Sequence, residues 1–279
     1  MNSPSNPPPN LHQKHEHLLR KLTSLQKVLV AFSGGVDSTF LLFASKEALG
    51  ENVYAVTVST PYIPKWEVEE AGQWARKFGI EHRVIRLSLL NELRNNPPQH
   101  CYTCKKHLFS VLLRTAEEMG IPHVIEGTNR DDLKDDRPGR KALQELNIPS
   151  PLLEAGLTKS DIRVLSRRAG LDTWDKPAYA CLLSRLPVNT RVETADLDRI
   201  ERAERFLMEI GFRAVRVRTH GAVARIEVDS DRISDLVDAD RVHDIQGRLK
   251  EMGFGHVAVD LTGYRTGSMN SNVDGGKVG

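Results

Sequence analysis

The sequence of 279 residues predicts an α/β protein, a doubly wound parallel sheet followed by a smaller C-terminal α+β domain. Three observations lead there. Short β-branched runs alternate with helical patterns through the first half, which is the signature of a parallel sheet covered by helices. Residues 28–39, VLVAFSGGVDST, read as a strand, a glycine-bearing turn and a helix start. From Thr194 the alternation gives way to helix, strand, strand, helix, strand, a different and smaller unit.

Taken in order, Lys27 to Phe32 reads as a strand with a helix opening at Asp37, then Val53 to Ser59 as a strand and about Glu67 to Phe78 as a helix. Arg83 to Leu87 is a strand, about Tyr102 to Met119 a helix, and His123 to Glu126 a strand. Ligands of such sheets sit beyond the carboxyl ends of the strands. SGG (33–35), the turn at Thr57 to Thr60 and GTN (127–129) all fall at such ends. A linking region follows, with a helix from Lys159 to Ala169 and a proline-broken loop at 172–187, DTWDKPAYACLLSRLP, too long to be filler. The last unit reads as helix 194–210, strands 214–219 and 223–228, helix about 240–252 and strand 256–261. Its internal echo, FLMEIGFRAVRVR against RLKEMGFGHVAVD, is a shared helix stop with glycine at the cap and not a solenoid repeat. The expected layout is a disordered N-terminus at 1–12, a nucleotide domain at 13–187, a small domain at 188–267 and a flexible tail at 268–279, both ends being small, polar or proline-rich.

Lysine and arginine (39) nearly balance aspartate and glutamate (37), so no global field argues for nucleic acid. No apolar run approaches the roughly 20 residues that span a bilayer, and the start MNSPSNPPPN lacks the features of a signal peptide. A cytoplasmic, membrane-free protein is expected. Of three cysteines, two form a CxxC at Cys101 and Cys104, a spacing that suggests metal or redox work in a reducing compartment.

Ser33, Gly34 and Gly35 follow a strand directly, and Asp37, Ser38 and Thr39 open a helix. Backbone N–H groups and hydroxyls therefore face one anion site at a helix N-terminus. The loop lacks the Lys-Ser/Thr pair of GxxxxGK[ST], whose lysine reaches the β and γ phosphates, so it suits pyrophosphate. The string SGGVDS resembles the PP-loop of the N-type ATP pyrophosphatases, which cleave ATP between the α and β phosphates and pass AMP to an acceptor oxygen. Ala31, Ser33, Gly34, Gly35, Asp37, Ser38, Thr39 and Thr57 are the candidate ATP-binding residues, with Gly127, Thr128, Asn129 and Asp132 from GTNRDD. Asp37 either serves Mg²⁺ or caps the helix, and Asp131 or Asp132 offers further hard oxygen ligands.

CYTCK, 101–105, starts a helix, where amide dipoles, Lys105 and Lys106 favour thiolate. With Cys181 from the distant loop, three thiolates could hold three irons of a [4Fe–4S] cluster and leave the fourth open to a ligand such as sulfide. A zinc site with His100 or His107 as fourth ligand, a redox disulfide and inert cysteines remain open readings.

The chain resembles the LarE sulfur transferases, ATP-dependent sulfur insertases. The likeness runs from about Leu25 to Asn270 through AFSGGVDST, NPPQHCYTCK, EGTNRDD, SPLLEAGLTKSDIR, TWDKPAYACLLSRLP, RVRTHGAVARIEV and DLTGYRTGSMN. The resemblance implies adenylation of a carboxylate of pyridinium-3,5-biscarboxylate mononucleotide and its conversion to a thiocarboxylate, on the route to a nickel-pincer cofactor. In one branch of the family a cysteine matching Cys181 is consumed as the sulfur donor. In another, cysteines matching Cys101, Cys104 and Cys181 bind a [4Fe–4S] cluster, and the presence of all three here favours that branch. The resemblance also implies substrate binding by Arg185, Arg216 and Arg218, acidic roles for Glu204, Glu227 and Asp235 at the catalytic site alongside Cys181, and a homo-oligomer, on the family pattern a hexamer.

Two other enzyme classes share the loop. An amide-forming ligase gives no reason for the cysteines. A PP-loop tRNA thiolase shares the trio but wants a basic RNA-binding surface, which the balanced charge does not promise. A non-enzymatic iron–sulfur or nucleotide-binding scaffold would bind ATP without turning it over.

Overall fold

The computed structural model describes residues 10–133 and 138–264. The expected N-terminal segment up to residue 9 and the expected tail at 268–279 lie outside the described residues, as does the end of the DLTGYRTGSMN string. The chain divides into two compact units. The first comprises residues 1–59, 65–87 and 101–178, the second residues 60–64, 88–100 and 179–279.

The first unit opens with α1 (Leu11–Leu25), followed by β1 (Val28–Ala31), α2 (Val36–Leu49), β2 (Val53–Ser59), α3 (Lys65–Lys77) and β3 (Glu81–Arg86). It continues through α4 (His100–Glu118), β4 (His123–Ile125), α5 (Pro138–Glu145), α6 (Pro151–Glu154) and α7 (Lys159–Arg168). The strands run in the order β3-β2-β1-β4, and every pairing is parallel. The expected doubly wound sheet is therefore present.

Strand alternation explains why helices cover both faces. Val28 and Val30 of β1 point into a core shared with Leu18 and Leu22 of α1, Phe40 and Leu41 of α2, Ala71 of α3 and Ile162 of α7. Leu29, between them, points into the opposite core with Val56, Val124, Phe109 and Leu112 of α4 and Leu143 of α5. Each large aliphatic side chain so buried contributes about 1.5–3 kcal/mol.

α1 is absent from the pattern read above. Its leucines lie on one stripe, Leu18 and Leu22 with no exposed surface, and Asn10 caps it in a box with Gln13. Lys14–Asp161 (2.7 Å) and Lys21–Glu154 (2.7 Å) tie it to α7 and α6.

The second unit contains α8 (Thr194–Glu209), β5 (Arg216–His220), β6 (Val223–Glu227), α9 (Ile233–His243), α10 (Ile245–Glu251) and β7 (His256–Val259). Its sheet, in the order β5-β6-β7, pairs β5 with β6 antiparallel and β6 with β7 parallel. The single helix expected at about 240–252 is two helices that begin at Ile233. Asp244, at φ 47°, breaks them and caps the second by accepting from the Gly247 N–H.

The glycine stop read in both echo segments is real. Gly211 (φ 104°) and Gly253 (φ 105°) end α8 and α10, and the N–H of the following Phe212 or Phe254 bonds to a carbonyl five residues back, Leu207 or Leu249. Both phenylalanines are buried at 3 % exposure, which supplies the apolar contact that accompanies such a stop.

Candidate adenylation and sulfur-transfer site

Ala31 ends β1 half-buried, and the chain then turns through Ser33, Gly34 and Gly35 into α2. Gly34 stands at φ 71°, and a Cβ there would lie 3.3 Å from the backbone of Ala71, so both conformation and close approach require glycine. Gly35 is the N-cap of α2, with no side chain to occupy the first-turn amides. Ser33 Oγ and Ser38 Oγ lie 3.0 Å apart, and Ser38 Oγ reaches the Gly35 carbonyl, which holds the loop closed on itself. Thr39 is fully buried beneath it.

The GTN turn packs onto this helix head. A Cβ on Gly127 would stand 3.1 Å from the Ser38 nitrogen and 3.3 Å from the Asp37 carbonyl carbon, so glycine here lets β4 and α2 meet. The turn is shaped by the buried carboxylate of Glu126, which accepts from the Thr128 N–H (3.0 Å), the Thr128 hydroxyl (2.8 Å) and the Ser150 hydroxyl. Asn129, also buried, donates its N–H to Asp132 (2.9 Å) and accepts from the Asp131 N–H (2.8 Å). Thr57 is buried, its hydroxyl donating to the Phe32 carbonyl (2.7 Å) and meeting His82 Nε2 (2.8 Å). Burial, and then the nearby Arg76 charge, hold His82 below its usual pKa.

Asp37, in the first turn of α2, is the electrostatic centre of the unit. Burial pushes its carboxyl above the ordinary carboxylate pKa, the Lys159 ammonium pulls it back in part, and nearby Asp132 adds a like charge that raises it again. Lys159 Nζ bonds Asp37 Oδ2, while the buried Oδ1 meets no hydrogen-bond partner among the described residues. A buried carboxylate oxygen of this kind is the hard donor that Mg²⁺ takes, and Asp132 lies near enough for its charge to be felt there.

Sequence reasoning missed Lys159 and Lys176. Lys176 Nζ donates to the Gly34 carbonyl (3.1 Å) and to Glu70, with only 11 % of its side chain exposed. The partners lie 122 and 142 positions apart in the chain, so no local pattern links either lysine to the loop. The one local signal is the capping box of Thr158 and Asp161, which places Lys159 at the head of α7.

Cys101 and Cys104 occupy the first turn of α4, three residues apart and so on one face, Cys101 exposed and Cys104 half-buried. Lys106, expected to favour thiolate there, directs its ammonium instead to Glu145 (2.7 Å) and the Tyr102 hydroxyl (2.9 Å). None of the three cysteines forms a disulfide. Among the described residues, no group of three or more His, Cys, Asp and Glu side chains could hold a metal ion.

In the second unit Cys181 precedes a short 3₁₀ turn, its carbonyl accepting from the Ser184 N–H and hydroxyl. Asn96 staples the end of that turn, its amide lying 3.1–3.2 Å from the carbonyls of Leu183, Leu186 and Pro187. Arg185 (2 % exposed) forks onto Glu204 at 2.8 and 3.0 Å, and Glu204 also accepts from the Val217 N–H. Arg218 (4 %) bonds Glu227 (2.6 Å) and the Ser184 carbonyl (2.6 Å), and Arg225 reaches the same Glu227 oxygen at 3.0 Å. Arg216 lies with its guanidinium carbon 5.4 and 4.8 Å from the ring centroids of Tyr179 and Tyr264. Burial would lower the pKa of Arg185, but Glu204 more than offsets it and the result is raised; Arg216 is lowered, by burial and then by Arg185.

The structure therefore brings together Arg185, Arg216 and Arg218 with Glu204 and Glu227, and excludes a solvated strand face for the arginines or for Glu227, which has no exposed surface. It does not bring in Asp235, which sits on α9 about half exposed and paired with Arg232 at 2.6 Å.

Comparison with known proteins agrees with this geometry. Residues 27–98, from β1 to the segment before the CxxC, match the family described as Queuosine biosynthesis protein QueC. A 7-cyano-7-deazaguanine synthase of Clostridium novyi is 33 % identical over 125 residues, 38 % of this chain and 56 % of its own length. Two relatives extend along nearly the whole chain. An uncharacterized protein of Synechocystis is 37 % identical over 265 residues, covering 93 % of this chain and 98 % of its own. The pyridinium-3,5-bisthiocarboxylic acid mononucleotide synthase of Lactiplantibacillus plantarum is 37 % identical over 267 residues, covering 94 % and 96 %. Among the described residues no helix is long and apolar enough to cross a membrane. With likeness at that level over nearly the whole length of both chains, this chain belongs to the LarE family of ATP-dependent sulfur transferases, enzymes built on the PP-loop fold.

Proposed function

We propose that this enzyme adenylates a carboxylate of pyridinium-3,5-biscarboxylic acid mononucleotide and replaces AMP with sulfur, giving a thiocarboxylate for nickel-pincer cofactor synthesis. The observation that carries the substrate is the 37 % identity, over 94 % of the chain, to the synthase named for the bisthiocarboxylate product. In this reading the phosphate loop of the first unit does the ATP chemistry, and Arg185, Arg216 and Arg218 of the second unit hold substrate. The substrate carboxylate oxygen attacks the α-phosphorus, the bond to the β-phosphate breaks, and pyrophosphate leaves with the electron pair. Sulfur then attacks the acyl carbon and AMP departs.

The loop amides at Ser33 to Thr39 and the GTN turn receive the phosphates, and Asp37 with Asp132 would hold Mg²⁺, which supplies charge neutralisation when bound. Three guanidinium groups, Arg185, Arg216 and Arg218, against two carboxylates, Glu204 and Glu227, leave an excess positive charge that suits an anionic mononucleotide. Glu204 and Glu227 then act by fixing the arginines. On the family resemblance, Cys101, Cys104 and Cys181 would be the thiol donors to a [4Fe–4S] cluster, which when bound would supply an open iron for sulfide.

The test is release of AMP and pyrophosphate from ATP in the presence of the pyridinium substrate, with mass spectrometry of the product. Absence of both would remove the adenylation reading. Anaerobic preparation with iron and sulfide analysis, wild type against Cys104→Ala, decides the sulfur source. A wild type without iron, together with a loss of about 34 Da at Cys181 after turnover, the mass of H₂S leaving a thiol side chain, would establish sacrifice of that cysteine instead. Product formation on a tRNA would move the enzyme to the thiolases.

A further inference from the structure

The phosphate loop carries no cation of its own, since Ser33 to Thr39 contains no lysine or arginine. Leaving pyrophosphate gains negative charge as the α–β bond breaks, and a site that splits that bond needs positive charge already in place. The fold brings two ammonium groups to the loop from distant sequence.

Lys159 is held at both ends. Its backbone N–H donates to Asp131 (2.8 Å), it opens α7 behind the Thr158 cap, and its Nζ lies on Asp37 in the first turn of α2. Lys176 is held more firmly. Its Nζ spans the Gly34 carbonyl and Glu70 and lies 5.6 Å from the Trp66 ring centroid. Its own carbonyl accepts from Arg163 Nη2 (2.9 Å), while Arg163 Nη1 takes the Trp174 carbonyl (2.6 Å). Lys176 thus touches the loop at the residue whose left-handed conformation turns the chain for phosphate, and Lys159 touches it at the helix head.

Resting on the ATP-splitting reading above, we propose that Lys159 and Lys176 together are the cationic receptor of the β and γ phosphates, doing from outside the loop what a lysine within a GxxxxGK[ST] loop does from inside. Both remain ammonium throughout. The acceptor oxygen forms its bond to the α-phosphorus, the α–β bridging oxygen departs with its electron pair, and no proton moves to or from either lysine. A lysine suits this position because it is a compact charge on a flexible stem with three donors, able to exchange a carboxylate or carbonyl partner for phosphate oxygen. The pairs with Asp37 and Glu70 hold the ammonium groups at the loop, and the partial exposure of Lys159 (31 %) and Glu70 (42 %) leaves room for that exchange.

The experiment measures dissociation constants of the full-length protein for inorganic pyrophosphate, α,β-methylene-ATP and AMP, in wild type, Lys159→Gln, Lys176→Gln and Lys176→Arg. A charge-assisted phosphate contact is worth about 10- to 100-fold in affinity. Each glutamine variant should lose about that factor for pyrophosphate and the methylene analogue while holding AMP within about twofold, and Lys176→Arg should recover part of the loss. Affinities for pyrophosphate unchanged in folded variants, or falling in parallel with AMP, would overturn the proposal. If Lys176→Gln melts early, Lys159→Gln, whose ammonium is partly exposed, carries the same comparison alone. A wild type that binds pyrophosphate through these lysines but releases none from ATP would break the adenylation reading and leave the receptor standing.

Discussion

Lys159–Asp37 at the phosphate loop and Arg185–Glu204 in the second unit are both cation–carboxylate pairs, and they live in opposite surroundings. The first pair is 31 % and 22 % exposed, the second 2 % and 5 %. A partly wet pair exchanges partners at little cost, so it suits a site where phosphate and Mg²⁺ arrive. A buried pair is held by the penalty of leaving either charge alone, so it suits a scaffold that keeps arginines in place. The same chemistry thus serves reaction in one unit and architecture in the other, and burial decides which.

The largest effect that comparison predicts is from Glu204→Ala. Arg185 would remain buried without its forked partner, costing about 3–5 kcal/mol of stability in urea unfolding. Asp37→Asn should behave in the reverse manner, with stability changed by no more than about 1 kcal/mol. Its pyrophosphate release should nevertheless fall by about 10²- to 10³-fold, as expected for removal of a group that organises charge at the reacting phosphates. If both variants lost stability equally, the contrast between the two pairs would be gone. Gly127→Ala sharpens it from another side. The added methyl meets the Ser38 nitrogen at 3.1 Å, so β4 and the head of α2 must part. A loss of about 1–3 kcal/mol, with weakened ATP binding, is expected from that overpacking. A variant with wild-type melting and ATP affinity would show that the helix head can yield without disturbing the loop.

Legibility divides along the same line. The strand, turn and helix start at VLVAFSGGVDST were readable because a period of two, a glycine turn and a helix cap lie side by side in sequence. GTNRDD was readable for the same local reason, and the charge of Asp132 is felt at Asp37. Lys159 and Lys176 were not readable, because their meaning comes from partners more than a hundred positions away. In the second unit, Arg216 and Arg218 were recognisable as a pair on a strand, but their burial was not. Charged residues at alternate positions look like a solvated face until Glu204 from α8 and Glu227 from β6 arrive to match them. α1 was hidden behind a proline-rich start, and the break at Asp244 behind a pattern apolar enough to suggest one continuous helix.

The smallest predicted effect is in pH dependence, where two groups of the first unit act with opposite sign. His82 is lowered from 6.5 by burial and by Arg76, so between its unfolded and folded values the unfolded chain binds more protons. Its contribution to stability is complete above about pH 6.5 and is lost as pH falls toward the depressed folded value. Asp37 is raised from 3.8 by burial, so over its window the unfolded chain holds fewer protons. Its contribution is greatest in acid and declines as pH rises from the ordinary carboxylate value through the raised one. Urea unfolding of wild type, His82→Gln and Asp37→Asn across pH 4–8 separates them. His82→Gln keeps a donor toward Thr57 and should flatten the loss of stability on acidification below about pH 6.5, whereas Asp37→Asn should steepen the net rise of stability with pH in the carboxylate range. Identical profiles in all three proteins would mean that neither side chain titrates differently on folding, and the buried character assigned to the floor of the phosphate site would have to be withdrawn.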